Sequence, residues 1–380
     1  MKFKIIICFL ILLIFISVGK LTKATNNFEL TDAKSAILID AKTGCILYEK
    51  NIHEKRVPAS MTKVMSLILI CEAIKDQRVN MNTLITASEY AASMGGSQIF
   101  LKVGEQFTLD DMLKAICIAS ANDCVVAVAE HLYGSEKMFV DKMNEFVIKL
   151  NLTNTHFEDS TGLSKENHYT TAHDMSMMSR YLINHHGDLI LKYTSLKEDY
   201  LRKDTDNPFW LVNTNKLVGR VDGVDGLKTG WLGDVSGYCL TATAKRDNMR
   251  LITVLMGYEK PLKRNTDTVV LLNYGFANFE EKVILEKGRV IYHVDDLRFS
   301  PQSFDVIIKE EVTKIVNKGS EVGEISWEII SHPDYLSNTS GKLNLYYNDE
   351  FIKEVEFNTN IPIKKNKFYL LWLELLRLFV

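Results

Sequence analysis

The segment Ser60–Lys75, SMTKVMSLILICEAIK, most constrains the fold, because its apolar residues fall on nearly every face of a helix. A helix without a polar face must be enclosed by other elements. Several candidates for that enclosure flank it. SAILID and CILYEK are short β-rich runs joined by Ala41-Lys42-Thr43-Gly44, which reads as a hairpin with Gly44 supplying the permissive turn backbone and Lys42 and Thr43 its solvated tip. GYCLTATA and RLITVLMG, joined across Arg246-Asp247-Asn248, read as adjacent antiparallel strands. Thr108 with Asp111, and Thr171 with Asp174, have the spacing of helix-opening caps, and DCVVAVAEHLYG is a helix closed by Gly134. The expected class is α+β, helices packed on an antiparallel sheet.

One core does not easily serve 380 residues, so a larger domain and a smaller one are expected. From about Glu280 the texture changes to short β-branched runs (VIYHV, FDVIIK, EISWEII, KLNLYYN, EFIKEVEF), which predicts a small all-β domain over 280–360 after a main domain over 25–279. Residues 361–380 differ again, since Phe368–Val380 is apolar apart from Glu374 and Arg377, which share one helix face with Lys367. Thirteen residues rise only about 20 Å, short of a hydrocarbon core of about 30 Å, so an in-plane amphipathic anchor is expected, with Lys364, Lys365 and Lys367 at anionic head groups. At the other end, Lys2 and Lys4 precede an apolar run from Ile5 to Val18 and small residues around Ala24, the pattern of a signal peptide over 1–24. Export, with the C-terminal segment lying on a membrane surface, is expected.

A net charge of −3 without a basic stretch argues against nucleic acid as a partner. Beyond the expected signal, Cys45, Cys71, Cys117, Cys124 and Cys239 form no Cys-x-x-Cys pair, so neither a disulfide framework nor a metal site is indicated. Cys71, Cys117 and Cys124 read as small buried hydrophobes, and His185-His186 as a solvated helix end.

Three short stretches carry candidate chemistry. In Ser60-Met61-Thr62-Lys63 the i, i+3 spacing puts the lysine amine and the serine hydroxyl on one helix face. A serine hydroxyl needs an adjacent base, which Lys63 becomes if burial lowers its pKa, and a helix N-terminus supplies a positive field for an oxyanion. The spacing alone is weak, since Ser17 and Lys20 share it, and Ser60 also reads as an ordinary N-cap. Ser120-Ala121-Asn122 falls on an inter-helix turn, where a hydroxyl and an amide can face a cleft, although both residues are favoured in turns anyway. Lys228-Thr229-Gly230 is expected on a sheet strand, where lysine and threonine can hold a carboxylate and glycine lets a backbone approach. A second Lys-Thr-Gly at 42–44 is already explained by the hairpin.

Taken together, in this order, the three stretches form the Ser-x-x-Lys, Ser-x-Asn, Lys-Thr-Gly set. The chain resembles the low-molecular-mass penicillin-binding proteins that are D-alanyl-D-alanine carboxypeptidases. The resemblance runs from about Leu30 to the C-terminal segment through DAKTG, PASMTKVMS, GGSQIFLKVGE, IASANDC, DSTGL, VDGLKTGW and MRLITVLMG. It implies a β-lactamase/transpeptidase-like domain, no cofactor, and two ligand classes: peptidoglycan stem peptides ending in D-Ala-D-Ala, and β-lactams. By the same resemblance Ser60 would be the nucleophile, Lys63 its base, and Ser120 the relay to the leaving D-alanine. Asn122 would orient the peptide, Lys228 and Thr229 would hold the terminal carboxylate with help from Arg250, and Gly230 would admit the substrate backbone. The N–H groups of Ser60 and Trp231 would form the oxyanion hole. Trp231 stands where relatives often have histidine or phenylalanine, and Ala121 where they often have glycine. A class A β-lactamase fits less well, because SKENHYT lacks its Glu-x-x-x-Asn. A module that is acylated without turning over remains open at this point.

Overall fold

All six residues of β1 (Ser35–Asp40) are buried, which a strand's two-residue side-chain period permits only if both faces are covered. Ile37 and Ile39 face one core with the buried helices, while Leu38 faces a second with Leu251 and Leu272. The computed structural model describes residues 29–330 and 340–377, and the signal reading of residues 1–24 lies outside them. β1 pairs with β2 (Ile46–Lys50) across the expected hairpin, where Gly44 takes φ +79° and Asp40 accepts from Thr43 N. The remaining strands are β3 (Val224–Trp231), β4 (Tyr238–Arg246) and β5 (Met249–Tyr258), and the antiparallel order is β2-β1-β5-β4-β3. Lys228-Thr229-Gly230 therefore lies on an edge strand.

The wholly apolar segment is α1 (Lys63–Lys75), preceded by a 3-10 turn over Ala59–Thr62. Val64, Met65, Ile68 and Ile70 have no exposed surface, since α1 is surrounded by α2 (Asn122–Tyr133), Glu136–Lys149 and α3 (Ala172–Thr194). The predicted caps form: Thr108 accepts from Asp111 N, Thr171 accepts from Asp174 N, and Gly134 closes α2 with φ +82°. α4 (Pro261–Asn278) packs on the sheet through β1, β4 and β5. Cys71, Cys117 and Cys124 are buried as expected. His185 is exposed as expected, but the pair lies inside α3 rather than at its end, and His186 is buried with Nε2 2.7 Å from Glu72 Oε1.

Between α4 and the terminal helix every described element is a strand. β6 (Phe279–Leu285) pairs with β9 (Val312–Asn317), and β7 (Val290–Asp295), β8 (Ser303–Ile308), β10 (Ile325–Ile329), β11 (Ser340–Tyr347) and β12 (Glu350–Thr359) form a sheet in the order β7-β8-β12-β11-β10. Its alternating inward residues, Leu343, Leu345, Val355 and Phe357 among them, make a separate core. The terminal helix α5 (Lys367–Arg377) follows, with Phe368, Leu371 and Trp372 exposed. Among the described residues no helix is long and apolar enough to cross a membrane.

Candidate active site

The 3-10 turn carrying Ser60 is held in a specific shape. Pro58 opens it without a side-chain cap and Ala59 takes φ +49°, so Ser60 is not the N-cap of α1. Lys63, one turn on, is fully buried, and its Nζ lies 3.1 Å from Ser60 Oγ. The same Nζ donates to Asn122 Oδ1 at 2.6 Å and to Thr161 O at 2.8 Å. Burial pushes the Lys63 pKa well below 10.5, and the nearby Lys228 charge pushes the same way, against Asp159 and Asp123. A lysine that readily gives up its proton beside a serine hydroxyl is the arrangement a general base requires.

Ser120 and Asn122 reach the same spot from a helix junction. A π-helical turn over Ala115–Ala119 ends at Ser120, which is left-handed at φ +65°, and α2 starts at Asn122. Asn122 is fixed at three points: its N donates to Ser97 O, its Nδ2 donates to Gly95 O, and its Oδ1 accepts from Lys63. Ser120 Oγ is buried and has no hydrogen-bond partner among the described residues. An unpaired buried hydroxyl costs about 1–3 kcal/mol, which a ligand group arriving there would relieve.

β3 forms the facing wall. Gly230 lies so close to the turn carrying Ser60 that an added Cβ would come 2.5 Å from Pro58 O and 3.3 Å from Met61 Cγ. Thr229 Oγ1 donates to Thr214 Oγ1 at 2.8 Å, and Lys228 is buried with Nζ donating to Thr229 O. Burial draws the Lys228 pKa down to about 7, with Cys117 opposing and Arg264 assisting. Trp231 is 57% exposed and stacks on Tyr238 at 5.6 Å.

Arg250 does not join this group. Its guanidinium grips Asp225 at 2.8 Å through both nitrogens and also donates to Thr243, because it enters β5 opposite Lys245, at the end of the sheet away from Trp231. The cation that sequence reasoning passed over is Arg264 of α4, which is 4% exposed and donates to Cys239 O. Cys239 is the register partner of Gly230. A cavity of about 1060 Å³ lies where Lys42 pairs with Glu281 and contains none of the Ser60–Lys63, Ser120–Asn122 or Lys228–Gly230 residues. Lys42 is exposed at the hairpin tip, as expected, and pairs there with Glu281.

The sequence profile of D-alanyl-D-alanine carboxypeptidase, peptidase family S11, matches residues 22–260. The chain belongs to this family. It is 41% identical over 342 residues to D-alanyl-D-alanine carboxypeptidase DacF of Bacillus subtilis, covering 89% of this chain and 87% of that protein. Its fold is similar to penicillin-binding protein 5 from Haemophilus influenzae, with a TM-score of 0.76 and 28% identity over 88% of this chain and 98% of that one. It is also similar to penicillin-binding protein D2 from Listeria monocytogenes in the ampicillin-bound form, with a TM-score of 0.55 and 29% identity over 65% of this chain and 98% of that one. The family is one of hydrolases, and the α+β architecture with its β-rich C-terminal region is matched by penicillin-binding protein 5 from Haemophilus influenzae.

One support of the site was legible only as the string DSTGL. Asp159 Oδ1 accepts from Thr161 N and Gly162 N, and Oδ2 accepts from Ser164 N, a cage that presents Thr161 O to Lys63. Burial alone would raise the Asp159 pKa, but the His168 charge and these hydrogen bonds hold it well below the usual carboxylate range. Gly162 has φ +91°, and a Cβ there would come 1.9 Å from Ala59 O. Gly162→Ala should therefore lose about 2–5 kcal/mol from a left-handed alanine and an overpacked contact, and slow acylation by displacing Ala59. A denaturant melt with penicillin labelling checks this; a loss under about 1 kcal/mol with normal labelling would mean that the turn is not fixed there.

Proposed function

We propose that this chain is an exported serine D-alanyl-D-alanine carboxypeptidase in which Ser60 attacks the terminal amide of a stem peptide while Lys63 takes its proton. The observation that carries the reading is the buried Lys63 amine 3.1 Å from Ser60 Oγ. Attack forms the bond from Ser60 Oγ to the carbonyl carbon, and the N–H groups of Ser60 and Trp231 hold the oxyanion. Collapse breaks the amide bond, Ser120 relays a proton to the departing D-alanine nitrogen, and water then hydrolyses the ester. Asn122 positions both Lys63 and the donor peptide. The deciding assay is release of D-alanine from diacetyl-Lys-D-Ala-D-Ala. Stoichiometric release that stops after one equivalent would favour an acylated binding module instead.

Lys228 and Thr229 hold the terminal carboxylate in this reading, and Arg264 lends positive potential. Burial lowers the Lys228 pKa to about 7, and a bound carboxylate draws it back towards the ammonium form. Lys228→Ala should lose about 1.5–3 kcal/mol of recognition, tenfold to hundredfold in kcat/KM. Lys42→Ala removes an exposed ion pair and should change kcat/KM by less than about twofold, since such pairs contribute about 0–1 kcal/mol to stability and the cleft is untouched. The reverse pattern would move the carboxylate site to the first Lys-Thr-Gly.

The N-terminal apolar run and the exposed apolar residues of α5 support export followed by peripheral attachment to the outer face of the membrane, with β-lactams as covalent ligands of Ser60. Removing Phe368–Val380 should leave D-alanine release intact and abolish sedimentation with anionic vesicles. Unchanged sedimentation, or an inactive but folded truncation, would contradict the separation of anchor and cleft.

A further inference from the structure

Beyond Trp231 the chain turns through Gly233 at φ +59° and re-enters the sheet at Tyr238. This turn walls a cavity of about 510 Å³ that no motif residue except Trp231 lines. Its lining is unusual in charge: Lys34 and Arg56 are cations, Asp234 and Glu259 are carboxylates, and Trp231 and Tyr238 supply stacked rings. Arg56 is only partly satisfied. Nη1 pairs with Glu54 at 2.5 Å, and the guanidinium lies close against Gly257, where an added Cβ would come 2.8 Å from Nη2. Nε, however, is buried without a partner among the described residues. Lys34, Asp234 and Glu259 are exposed at the rim.

The position of this cavity follows from the cleft, and the inference rests on the carboxypeptidase reading above. A peptide lying along the edge strand advances about 3.3 Å per residue. With its terminal carboxylate at Lys228-Thr229 and its scissile carbonyl beside Gly230, the residue on the amino side of the acyl D-alanine comes level with the chain just past Trp231, at the cavity mouth. We propose that this cavity is a donor subsite for a side chain ending in an α-amino acid group, with ammonium and carboxylate on one carbon. Two cations and two carboxylates match both charges of such a group, and the ring face of Trp231 covers its aliphatic stem. A side chain ending in an ammonium alone leaves Lys34 and the buried Nε of Arg56 unanswered, and a neutral one leaves the rim carboxylates unanswered as well.

The test compares kcat/KM for D-alanine release by the full chain from three tripeptides X-D-Ala-D-Ala. In them X is N-acetylated meso-diaminopimelate with its side-chain amino acid group free, N-acetyl-lysine with its side-chain amine free, or diacetyl-lysine. The zwitterionic substrate should exceed both others by tenfold or more. Lys34→Gln and Glu259→Gln, at exposed positions that do not endanger folding, should each bring that ratio down several-fold, and Arg56→Gln should bring it close to one. Equal kcat/KM within twofold for the three substrates, or a preference that survives Lys34→Gln, Glu259→Gln and a folded Arg56→Gln, overturns the subsite while leaving the carboxypeptidase reading standing. No release from any substrate overturns that reading and the subsite with it.

Discussion

Ser60→Ala abolishes D-alanine release and covalent labelling by a fluorescent penicillin, while the thermal melt stays within a few degrees of the wild type. The expected loss in kcat/KM is about a million-fold, the scale seen when a serine nucleophile is removed from a unit whose other members then have nothing to act on. Folding survives because Ser60 lies in a turn fixed by Pro58, the φ of Ala59 and the contact with Gly162, and its hydroxyl caps no helix. Residual labelling at wild-type rate would remove Ser60 from the mechanism.

Lys63→Arg and Lys63→Met each reduce acylation by roughly 10²–10⁴-fold, the range for loss of a positioned general base. The two replacements separate base from scaffold. Arginine restores donors towards Asn122 Oδ1 and Thr161 O but is not deprotonated in proteins, whereas methionine leaves those acceptors unpaired and also costs stability. The pH dependence follows from the direction of the Lys63 shift. The amine acts only when neutral, its folded pKa is depressed by burial, and so the acylation rate of the wild type rises with pH through that lowered value and not near 10.5. In Lys63→Arg this limb disappears. An arginine variant that acylates at the wild-type rate would assign the base elsewhere.

Much of this was legible because it is local. The apolar run of α1, the capping spacings at Thr108 and Thr171, and the hairpin at 41–44 depend on residues within a few positions of one another, and the structure has each of them. The β-rich tail was visible in its longer runs, but the pairing of β6 with β9 was not, since three strands, Phe299–Ser300 among them, lie between the two. The errors were tertiary. Arg250 was expected beside the carboxylate because it opens RLITVLMG, yet the register that puts it opposite Lys245 hands it to Asp225, 25 residues earlier in the chain. His186 was placed in solvent because Glu72, its partner, is 114 residues away, while Lys42 is exposed as expected but its pairing with Glu281, 239 residues away, has no local signal. The depressed pKa of Lys228 likewise has no local signal. It comes from complete burial behind the cleft, where α4 adds the Arg264 charge.

The central claim is a covalent ester on one serine, and peptide mapping tests it most directly. The full chain, mixed with excess ampicillin and quenched in acid within seconds, should gain the mass of one intact ampicillin molecule, because opening the β-lactam ring expels nothing. After proteolysis the added mass should fall on the peptide containing Ser60 and on no other. A mass increase on a peptide containing Ser120, or an unmodified chain under conditions where the protein is folded, would contradict the account.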